Sequence, residues 1–335
     1  MEESISRKKF LRAVGSIITG GAIAGVSGTI ISKYQPKDGL TPVLAGKQPE
    51  NGGFASPYKP IVVFTSPGSI EAFEQHDDKL YVVTENKLTA MDDYGKTLLR
   101  FGVKEGLTRD MAVDADEIYL LRPASVLVYS HSGELLREWD ACSELSNYCS
   151  LTLAENFVFV TDKDNKNICK YTREGTFVKF INSPNRFIIP SLTFGIAYAN
   201  GKLYCSNSGR HQVEIYSIDG EYEGKFGSAG GQQGYFCGCC NPVYLTCTPT
   251  GEIITSEKGN PRVSCYGNDG KFRSLLLNSK MLDEGSAAAS KVKIAGGKLF
   301  TAGKDKVRVY EYDPQLAAAA GACGGCGVNC GLRKG

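Results

Sequence analysis

The feature that most constrains this sequence is an internal repeat, marked by an aromatic residue four positions before a turn glycine. Four copies are regular, namely Tyr129 with Gly133, Tyr171 with Gly175, Tyr216 with Gly220, and Tyr266 with Gly270. Two copies are degenerate, Met91 before Gly95 and Tyr310 before Pro314, so that six units follow one another at intervals of 38 to 50 residues. A period of roughly 40 residues is typical of β-propeller blades, and six units predict a six-bladed ring.

One unit, between Phe194 and Gly227, shows how a blade is built. It contains four short runs that alternate apolar and polar residues: Phe194–Ala199, Lys202–Asn207, Gln212–Ser217 and Glu221–Phe226. The runs are separated by residue pairs that favour the positive φ of tight hairpin turns: Asn200-Gly201, Ser208-Gly209 and Asp219-Gly220. Each unit is therefore predicted to be a four-stranded antiparallel sheet, which gives an all-β fold.

The two ends of the repeat region predict how the ring closes. The last unit has three predicted strands, Lys291–Ala295, Lys298–Ala302 and Val307–Tyr312, whereas an apolar run ahead of the first unit, Pro60–Thr65, belongs to no unit. We expect this N-terminal run to complete the sixth blade, because a strand from the other end of the chain would remove a free sheet edge. The alternative is that the run is part of a linker.

The residues of the fourth unit also carry a family resemblance. The segment NSGRHQVEIY from Asn207 to Tyr216, followed by Asp219-Gly220, resembles the NHL repeat. Gly234-Tyr235-Phe236 with the later Pro242 is similar to the start of an NHL blade. The resemblance covers roughly residues 60–314. It implies the propeller fold but little about activity, because one propeller scaffold carries many functions.

The N-terminus is predicted to be a targeting segment covering residues 1–33. Ser6–Arg12, SRKKFLR, resembles the twin-arginine export motif with lysine in place of the second arginine. Ala13–Ile31 follows as an uncharged stretch of 19 residues with five glycines, which as a helix at ~1.5 Å per residue would span a bilayer. The alternative is an ordinary Sec signal or anchor. Both predict an extracytoplasmic, for example periplasmic, protein that is membrane-anchored if the segment is uncleaved, with residues 34–59 as a linker.

The cysteines carry the functional signal. Cys323, Cys326 and Cys330 form a C-x2-C-x3-C pattern in the glycine-rich tail, residues 315–335, which has too few bulky apolar residues to fold by burial. A second group, Cys237, Cys239 and Cys240, lies in the loop ahead of blade five, which is predicted to open at one mouth of the ring. The eleven residues from Tyr312 to Cys323 would reach ~35 Å when extended. We therefore expect these six cysteines to form one metal- or cofactor-binding site.

Three kinds of centre fit this arrangement. The first is an iron–sulfur cluster of the 4Fe–4S type, ligated by the three tail cysteines and one of Cys237, Cys239 and Cys240. The twin-arginine route exports folded proteins, which suits a cluster assembled in the cytoplasm. The second is disulfide stapling, natural for an exported chain with twelve cysteines. The third is a zinc or copper thiolate site.

The expected function follows from the kind of centre. A cluster predicts an electron-transfer or redox accessory protein with a membrane-associated redox partner. Disulfides predict a binding module that holds a protein or ligand without redox chemistry.

The remaining cysteines are expected to have structural roles. Cys142 and Cys149 bracket the loop ahead of blade three, and a disulfide between them is favoured over a second metal site. The other four lie within predicted strands, where cysteine commonly fills the core: Cys169, Cys205, Cys247 and Cys265.

Two function classes are disfavoured by composition. The net charge is +2 and there is no basic block, so nucleic acid is not an expected partner. The three histidines, His76, His131 and His211, are scattered over polar turns, so the sequence shows no hydrolase or lyase constellation.

Overall fold

The computed structural model of this protein describes residues 40–45, 54–283, 285 and 288–319. This part of the chain forms six antiparallel sheets, of which five have four strands and the sixth has five. The predicted all-β six-bladed propeller is therefore confirmed. The predicted targeting segment 1–33 and the three tail cysteines lie outside the described residues.

The first two strands of the described residues belong to the last blade, β1 (Thr41–Leu44) and β2 (Tyr58–Thr65). The next twelve strands form blades one to three, in chain order. Blade one contains β3 (Ile70–His76), β4 (Lys79–Thr84), β5 (Lys87–Met91) and β6 (Thr97–Gly102). Blade two contains β7 (Asp110–Val113), β8 (Glu117–Leu121), β9 (Ser125–Ser130) and β10 (Leu135–Asp140). Blade three contains β11 (Tyr148–Ala154), β12 (Phe157–Asp162), β13 (Asn167–Thr172) and β14 (Phe177–Ile181).

Blades four to six continue the pattern and include three short helical segments. Blade four contains β15 (Ile196–Ala199), β16 (Lys202–Asn207), a 3-10 turn (Ser208–Arg210), β17 (Gln212–Ser217) and β18 (Tyr222–Phe226). Blade five contains β19 (Tyr244–Cys247), β20 (Ile253–Glu257), β21 (Arg262–Tyr266) and β22 (Phe272–Leu277). Blade six contains β23 (Lys291–Ala295), β24 (Lys298–Ala302) and β25 (Lys306–Tyr312), preceded by α1 (Ser279–Leu282) and followed by α2 (Pro314–Ala319).

The first strand of each blade lies at the centre of the ring, where it contacts the first strands of both neighbouring blades. Since neighbouring strands within a blade are antiparallel, the connections fall on two opposite faces. The loops between blades and the turns between second and third strands share one face, which we call the loop face. The turns between first and second strands and between third and fourth strands share the other, which we call the turn face.

The N-terminal strand closes the ring as predicted. Strand β2 pairs antiparallel with β25, from Tyr58 opposite Tyr312 to Thr65 opposite Lys306. The structure adds a fifth strand, because β1 pairs along the outer edge of β2. Sequence analysis had placed β1 within the linker, since four residues that include Pro42 show no alternating pattern.

The turn glycines of the repeat join consecutive blades. Each has a φ between 73° and 91° and lies against a large side chain on the fourth strand of the preceding blade, where a Cβ would not fit. The pairs are Gly133 with Phe101, Gly175 with Trp139, Gly220 with Ile181, and Gly270 with Phe226. Gly95 lies in the same way against Phe64 of β2 and Pro42 of β1. The two N-terminal strands therefore supply the blade-six side of the last joint.

These glycine contacts predict the cost of adding one methyl group. Gly175→Ala should destabilise the protein by about 2–4 kcal/mol, because its Cβ would come within 2.5 Å of Trp139 Cε3 and the positive φ is strained for alanine. Gly201→Ala is the matched control, with a φ of 76° and no atom within 4 Å of its Cβ, so it should lose about 1–2 kcal/mol from the backbone alone. Urea unfolding measures both, and equal losses would contradict the packing role of Gly175.

Candidate functional site: the cysteine loop ahead of blade five

The second cysteine group lies where the repeat predicts it, in the loop of residues 227–243 between β18 and β19, on the loop face. We call this segment the cysteine loop. Three neighbouring connections on the same face contact it: the loop ahead of blade four, which carries Ser191, the turn with His211, and the turn with Lys258. The site is therefore assembled from blades four and five.

A buried ion pair anchors the start of the cysteine loop. Glu257 is 0% exposed and accepts from Arg262 at 2.6 and 3.0 Å. The same carboxylate accepts from the backbone N–H of Cys237 at 3.0 Å, and Arg262 donates to the carbonyl of Tyr235. Charge-assisted bonds of this kind are strong and directional, so they fix the backbone just before the other two thiols.

The end of the cysteine loop is held by side-chain amide and imidazole bonds. Buried Asn241 donates to the carbonyls of Cys237 at 2.5 Å and Lys258 at 2.8 Å, and accepts from the Lys258 N–H at 2.9 Å. His211 Nε2 lies 2.7 Å from the Gly238 carbonyl. The sequence predicts a tight turn at Ser208-Gly209 and places His211 in a polar turn. The structure instead places His211 after a 3-10 turn, with a φ of 56°, where its ring reaches the cysteine loop.

Two of the three thiols of the loop are adjacent. The sulfurs of Cys239 and Cys240 lie 3.2 Å apart; Cys239 is exposed, whereas Cys240 is only 2% exposed. Behind Cys240, Ser191 Oγ lies 3.8 Å from its sulfur and accepts from Lys258 Nζ at 3.1 Å. One thiol therefore faces solvent, and the other is enclosed with an ammonium group nearby.

The surroundings of this pair favour a thiolate on Cys240. Burial raises the pKa of Cys240, but hydrogen bonds with Lys258, Cys239 and Ser191, together with the Lys258 charge, outweigh it and hold the pKa below its usual value. The hydrogen bond with Cys240 and its charge raise the pKa of Cys239. Burial and the Glu257 carboxylate raise the pKa of Cys237. Since the thiolate is the form that binds metals, Cys240 is the best ligand of the three.

The described residues contain part of the predicted site. Within them, no group of three or more histidine, cysteine, aspartate or glutamate side chains could hold a metal ion. A thiolate centre at Cys239 and Cys240 would therefore need ligands from elsewhere, and Cys323, Cys326 and Cys330 lie outside the described residues. The residues that position the thiols were missed by sequence analysis, because Ser191, Lys258 and Glu257 belong to no motif.

The direction of the last strand limits how the tail can reach the cysteine loop. Strand β25 runs parallel to β23, so the chain leaves blade six on the turn face, opposite the cysteine loop. Residues Pro314–Ala319 then form α2, capped by Asp313, whose carboxylate accepts from Gln315 N–H at 3.0 Å. A six-residue helix spans ~9 Å instead of ~20 Å, so the reach from Tyr312 to Cys323 falls from ~35 to ~24 Å.

The nine cysteines among the described residues are free thiols, and the expected Cys142–Cys149 disulfide is therefore wrong. The two thiols have different partners: Cys142 Sγ is 2.7 Å from Tyr171 Oη, whereas Cys149 Sγ is 3.6 Å from the Asn147 carbonyl. The alternation of side chains along β11 explains this, since Tyr148 points towards Cys142 and Cys149 points to the opposite side. The strand cysteines fill the core as predicted: Cys169, Cys205 and Cys265 are 0% exposed and Cys247 is half-buried.

The central channel carries a second group of charges that sequence analysis did not identify. Lys293 Nζ on β23 lies 2.6 Å from Glu74 Oε2 on β3. Lys291, on the same strand, donates to the carbonyl of Glu71 at 2.6 Å, and burial lowers its pKa. These bonds tie blade six to blade one across the channel wall, so the charges have a clear role in closing the ring.

No protein-family model matches this sequence, and the comparison with curated proteins finds no match either. Solved structures match the fold at low identity. A streptogramin B lyase has 15% identity, a TM-score of 0.53, and coverage of 75% of this chain and 97% of the other. Virginiamycin B lyase from Staphylococcus aureus has 10% identity, a TM-score of 0.56, and coverage of 76% of this chain and 99% of the other. The WD40 β-propeller domain of Doa1 has 10% identity, a TM-score of 0.53, and coverage of 84% of this chain and 96% of the other. These likenesses show a β-propeller fold.

Among the described residues, no helix is sufficiently long and apolar to cross a bilayer.

Proposed function

We propose that this protein is an exported NHL-type propeller that carries a cysteine-ligated iron–sulfur cluster and serves as an electron-transfer or redox accessory protein. The cluster is of the 4Fe–4S type, with three ligands from Cys323, Cys326 and Cys330 and the fourth from Cys240. Its redox partner is a membrane-associated protein outside the cytoplasm. The twin-arginine resemblance of residues 6–12 supports export of a folded, loaded protein.

The observation that carries the proposal is the enclosed Cys240 thiol, which lies next to Ser191 Oγ and the Lys258 ammonium group. Lys258 and Ser191 favour its deprotonated form, which is the form that binds a metal, and the bonds of Glu257 and Asn241 fix the loop backbone at Cys237. A fixed ligand lowers the cost of binding, because little has to be ordered when the metal arrives. Lys258 also supplies a positive charge beside a cluster that is itself anionic, which would stabilise the reduced state.

The tail contains the three other cysteines that the proposed cluster needs as ligands. Its C-x2-C-x3-C spacing in a glycine-rich segment allows close wrapping, and glycine amides can bond to cluster sulfides. The exit of the chain on the turn face requires the tail to pass around the rim to meet Cys240 of its own molecule, or to meet Cys240 of a second copy. The oligomeric state of the loaded protein distinguishes these two routes.

The test is metal analysis of the full chain purified without oxygen. We expect a brown protein with broad visible absorption and about four iron atoms and four labile sulfides per chain. Cys240→Ser and Cys323→Ser should each lose more than half of the iron. Cys149→Ser is the matched control, because that half-buried free thiol lies in blade three, and it should keep full iron.

The other outcomes overturn the proposal in distinct ways. Zinc or copper without labile sulfide would identify the centre as a thiolate metal site and not a cluster. In the case of zinc, the electron-transfer role would also be excluded. Metal-free protein whose cysteines are oxidised in pairs would favour the disulfide-stabilised binding module. Full iron in Cys240→Ser together with loss in Cys323→Ser would overturn Cys240 as the fourth ligand.

A further inference from the structure

A second group of interacting thiols lies in blade three, where Cys142 contacts side chains of two strands. Its sulfur is 2.7 Å from Tyr171 Oη, and Tyr148 Oη donates to it at 3.7 Å. The backbone N–H of Cys142 donates to the same Tyr148 hydroxyl at 3.2 Å, and the two tyrosine hydroxyls bond to each other. Cys169 lies two positions before Tyr171 on β13, so the two side chains are on the same face of the strand, and Cys169 belongs to the core cluster against which Cys142 packs.

The two thiols differ in their access to solvent. Cys142 is half-buried at the edge of the cluster, in the loop ahead of blade three, whereas Cys169 on β13 is 0% exposed inside it. A small reagent from solvent can therefore reach Cys142 first. Cys169 can react only with a partner that is already inside the protein, and Cys142 packs against the core cluster that contains it.

The same contacts set the protonation of the pair. The neighbouring Cys169 thiol, followed by the hydroxyls of Tyr171 and Tyr148, lowers the pKa of Cys142 to about 6 against the opposing effects of burial and the Asp162 charge. The neighbouring Cys142 thiol, followed by burial, raises the pKa of Cys169. The cluster therefore favours the thiolate on Cys142 and the protonated thiol on Cys169.

We propose that Cys142 and Cys169 form a peroxide-reactive pair, in which hydrogen peroxide oxidises Cys142 and Cys169 then converts the product to a disulfide. This site is separate from the cysteine loop, because none of the described contacts of its residues reaches that loop.

The chemistry needs no cofactor. The Cys142 thiolate attacks one peroxide oxygen; the S–O bond forms while the O–O bond breaks, and the departing hydroxide takes a proton from solvent to become water. The resulting sulfenic acid is attacked by the Cys169 sulfur. The S–S bond forms while the S–O bond breaks, and hydroxide leaves with the Cys169 proton as a second water. Overall, two thiols lose two hydrogens and one peroxide is reduced to two waters; a dithiol reductant restores the pair.

Cys149 is the partner that the sequence predicts for Cys142, and the structure excludes it from the pair. Burial raises its pKa to about 12, and its sulfur faces the Asn147 carbonyl. Cys149 therefore provides a matched control seven positions from Cys142 in the same segment.

The experiment treats the full-length protein with one equivalent of hydrogen peroxide, blocks remaining thiols and maps disulfides after trypsin digestion. Cleavage after Lys166 and Lys170 isolates Cys169 in the peptide NICK, apart from the peptide that carries both Cys142 and Cys149. We expect NICK to be joined to that peptide, with a mass two hydrogens below the sum, and the same link in Cys149→Ser. Cys169→Ala should stop at a sulfenic acid on Cys142, trapped by dimedone.

Three results would overturn the proposal. In the first, the NICK peptide remains unlinked in the peroxide-treated wild-type protein, a result that does not depend on the folding of any variant. The link could disappear in Cys149→Ser, which would assign the reactive thiol to Cys149. Finally, alkylation of Cys142 by iodoacetamide should rise through pH 6 and level off by pH 8; a rise centred near pH 8.5, the value of an ordinary thiol, would show that the surrounding groups do not activate it.

Discussion

Replacing Phe64 with alanine should lower the free energy of unfolding by about 3–5 kcal/mol, although this residue precedes the first repeat. Phe64 is 1% exposed and belongs to a core cluster shared by blades six and one, with Phe73 and Phe300. Its ring also fills the joint against Gly95, where an added Cβ would come within 3.2 Å of it. The substitution leaves a cavity at the one joint where the two ends of the chain meet, and neighbouring blades cannot collapse into it without opening the ring.

Val43→Ala is the control for this prediction. Val43 lies on β1 opposite Val63 but is 47% exposed, so its loss should cost about 0.5 kcal/mol or less. Urea unfolding followed by circular dichroism measures both variants. If Phe64→Ala were as stable as Val43→Ala, β2 would be an attached strand and not the closure on which the ring depends.

Much of this fold was predictable because the repeat specifies local geometry. In the four regular copies of the repeat, a glycine four positions after the aromatic residue marks a turn with positive φ, and all four glycines have it, as does Gly95 of the degenerate copy after Met91. The same positions also mark the joints between blades, so one pattern gives both the turn and the packing partner. Strand β1 escaped prediction for the converse reason: it is held by pairing with β2 and by burial of Leu40, which a four-residue sequence does not reveal.

The sites were less predictable than the fold, because their contacts connect distant parts of the chain. The spacing of Cys237, Cys239 and Cys240 placed them in a loop between blades, and the structure agrees. It could not identify Lys258 and Ser191, whose bond joins positions 67 residues apart. In blade three, proximity in sequence favoured Cys149 as the partner of Cys142. The strand register instead turns Cys149 away and places Cys169 in the core cluster against which Cys142 packs.

Replacing Glu257 with alanine should have an effect as large as the loss of Phe64, by a different mechanism. Glu257 and Arg262 form an ion pair with side chains 0% and 6% exposed, so removal of the carboxylate leaves a buried guanidinium without its partner. Breaking a buried pair in this way costs about 3–5 kcal/mol. The Cys237 N–H loses its acceptor as well. We therefore expect the cysteine loop to loosen and the enclosed Cys240 to be alkylated several-fold faster than in wild type.

Two further variants separate charge burial from the simple loss of a salt bridge. Glu223→Ala breaks the Lys202–Glu223 pair, in which the charged atoms lie 2.8 Å apart but the side chains are 48% and 35% exposed. Because the pair is exposed, its loss should cost about 0–1 kcal/mol. Glu257→Met combined with Arg262→Met removes both buried charges and should recover part of the lost stability, since no unpaired charge remains. If the double variant were less stable than Glu257→Ala and its Cys240 reacted equally fast, the pair itself, through its bonds to the loop backbone, would be the main source of stability at this site.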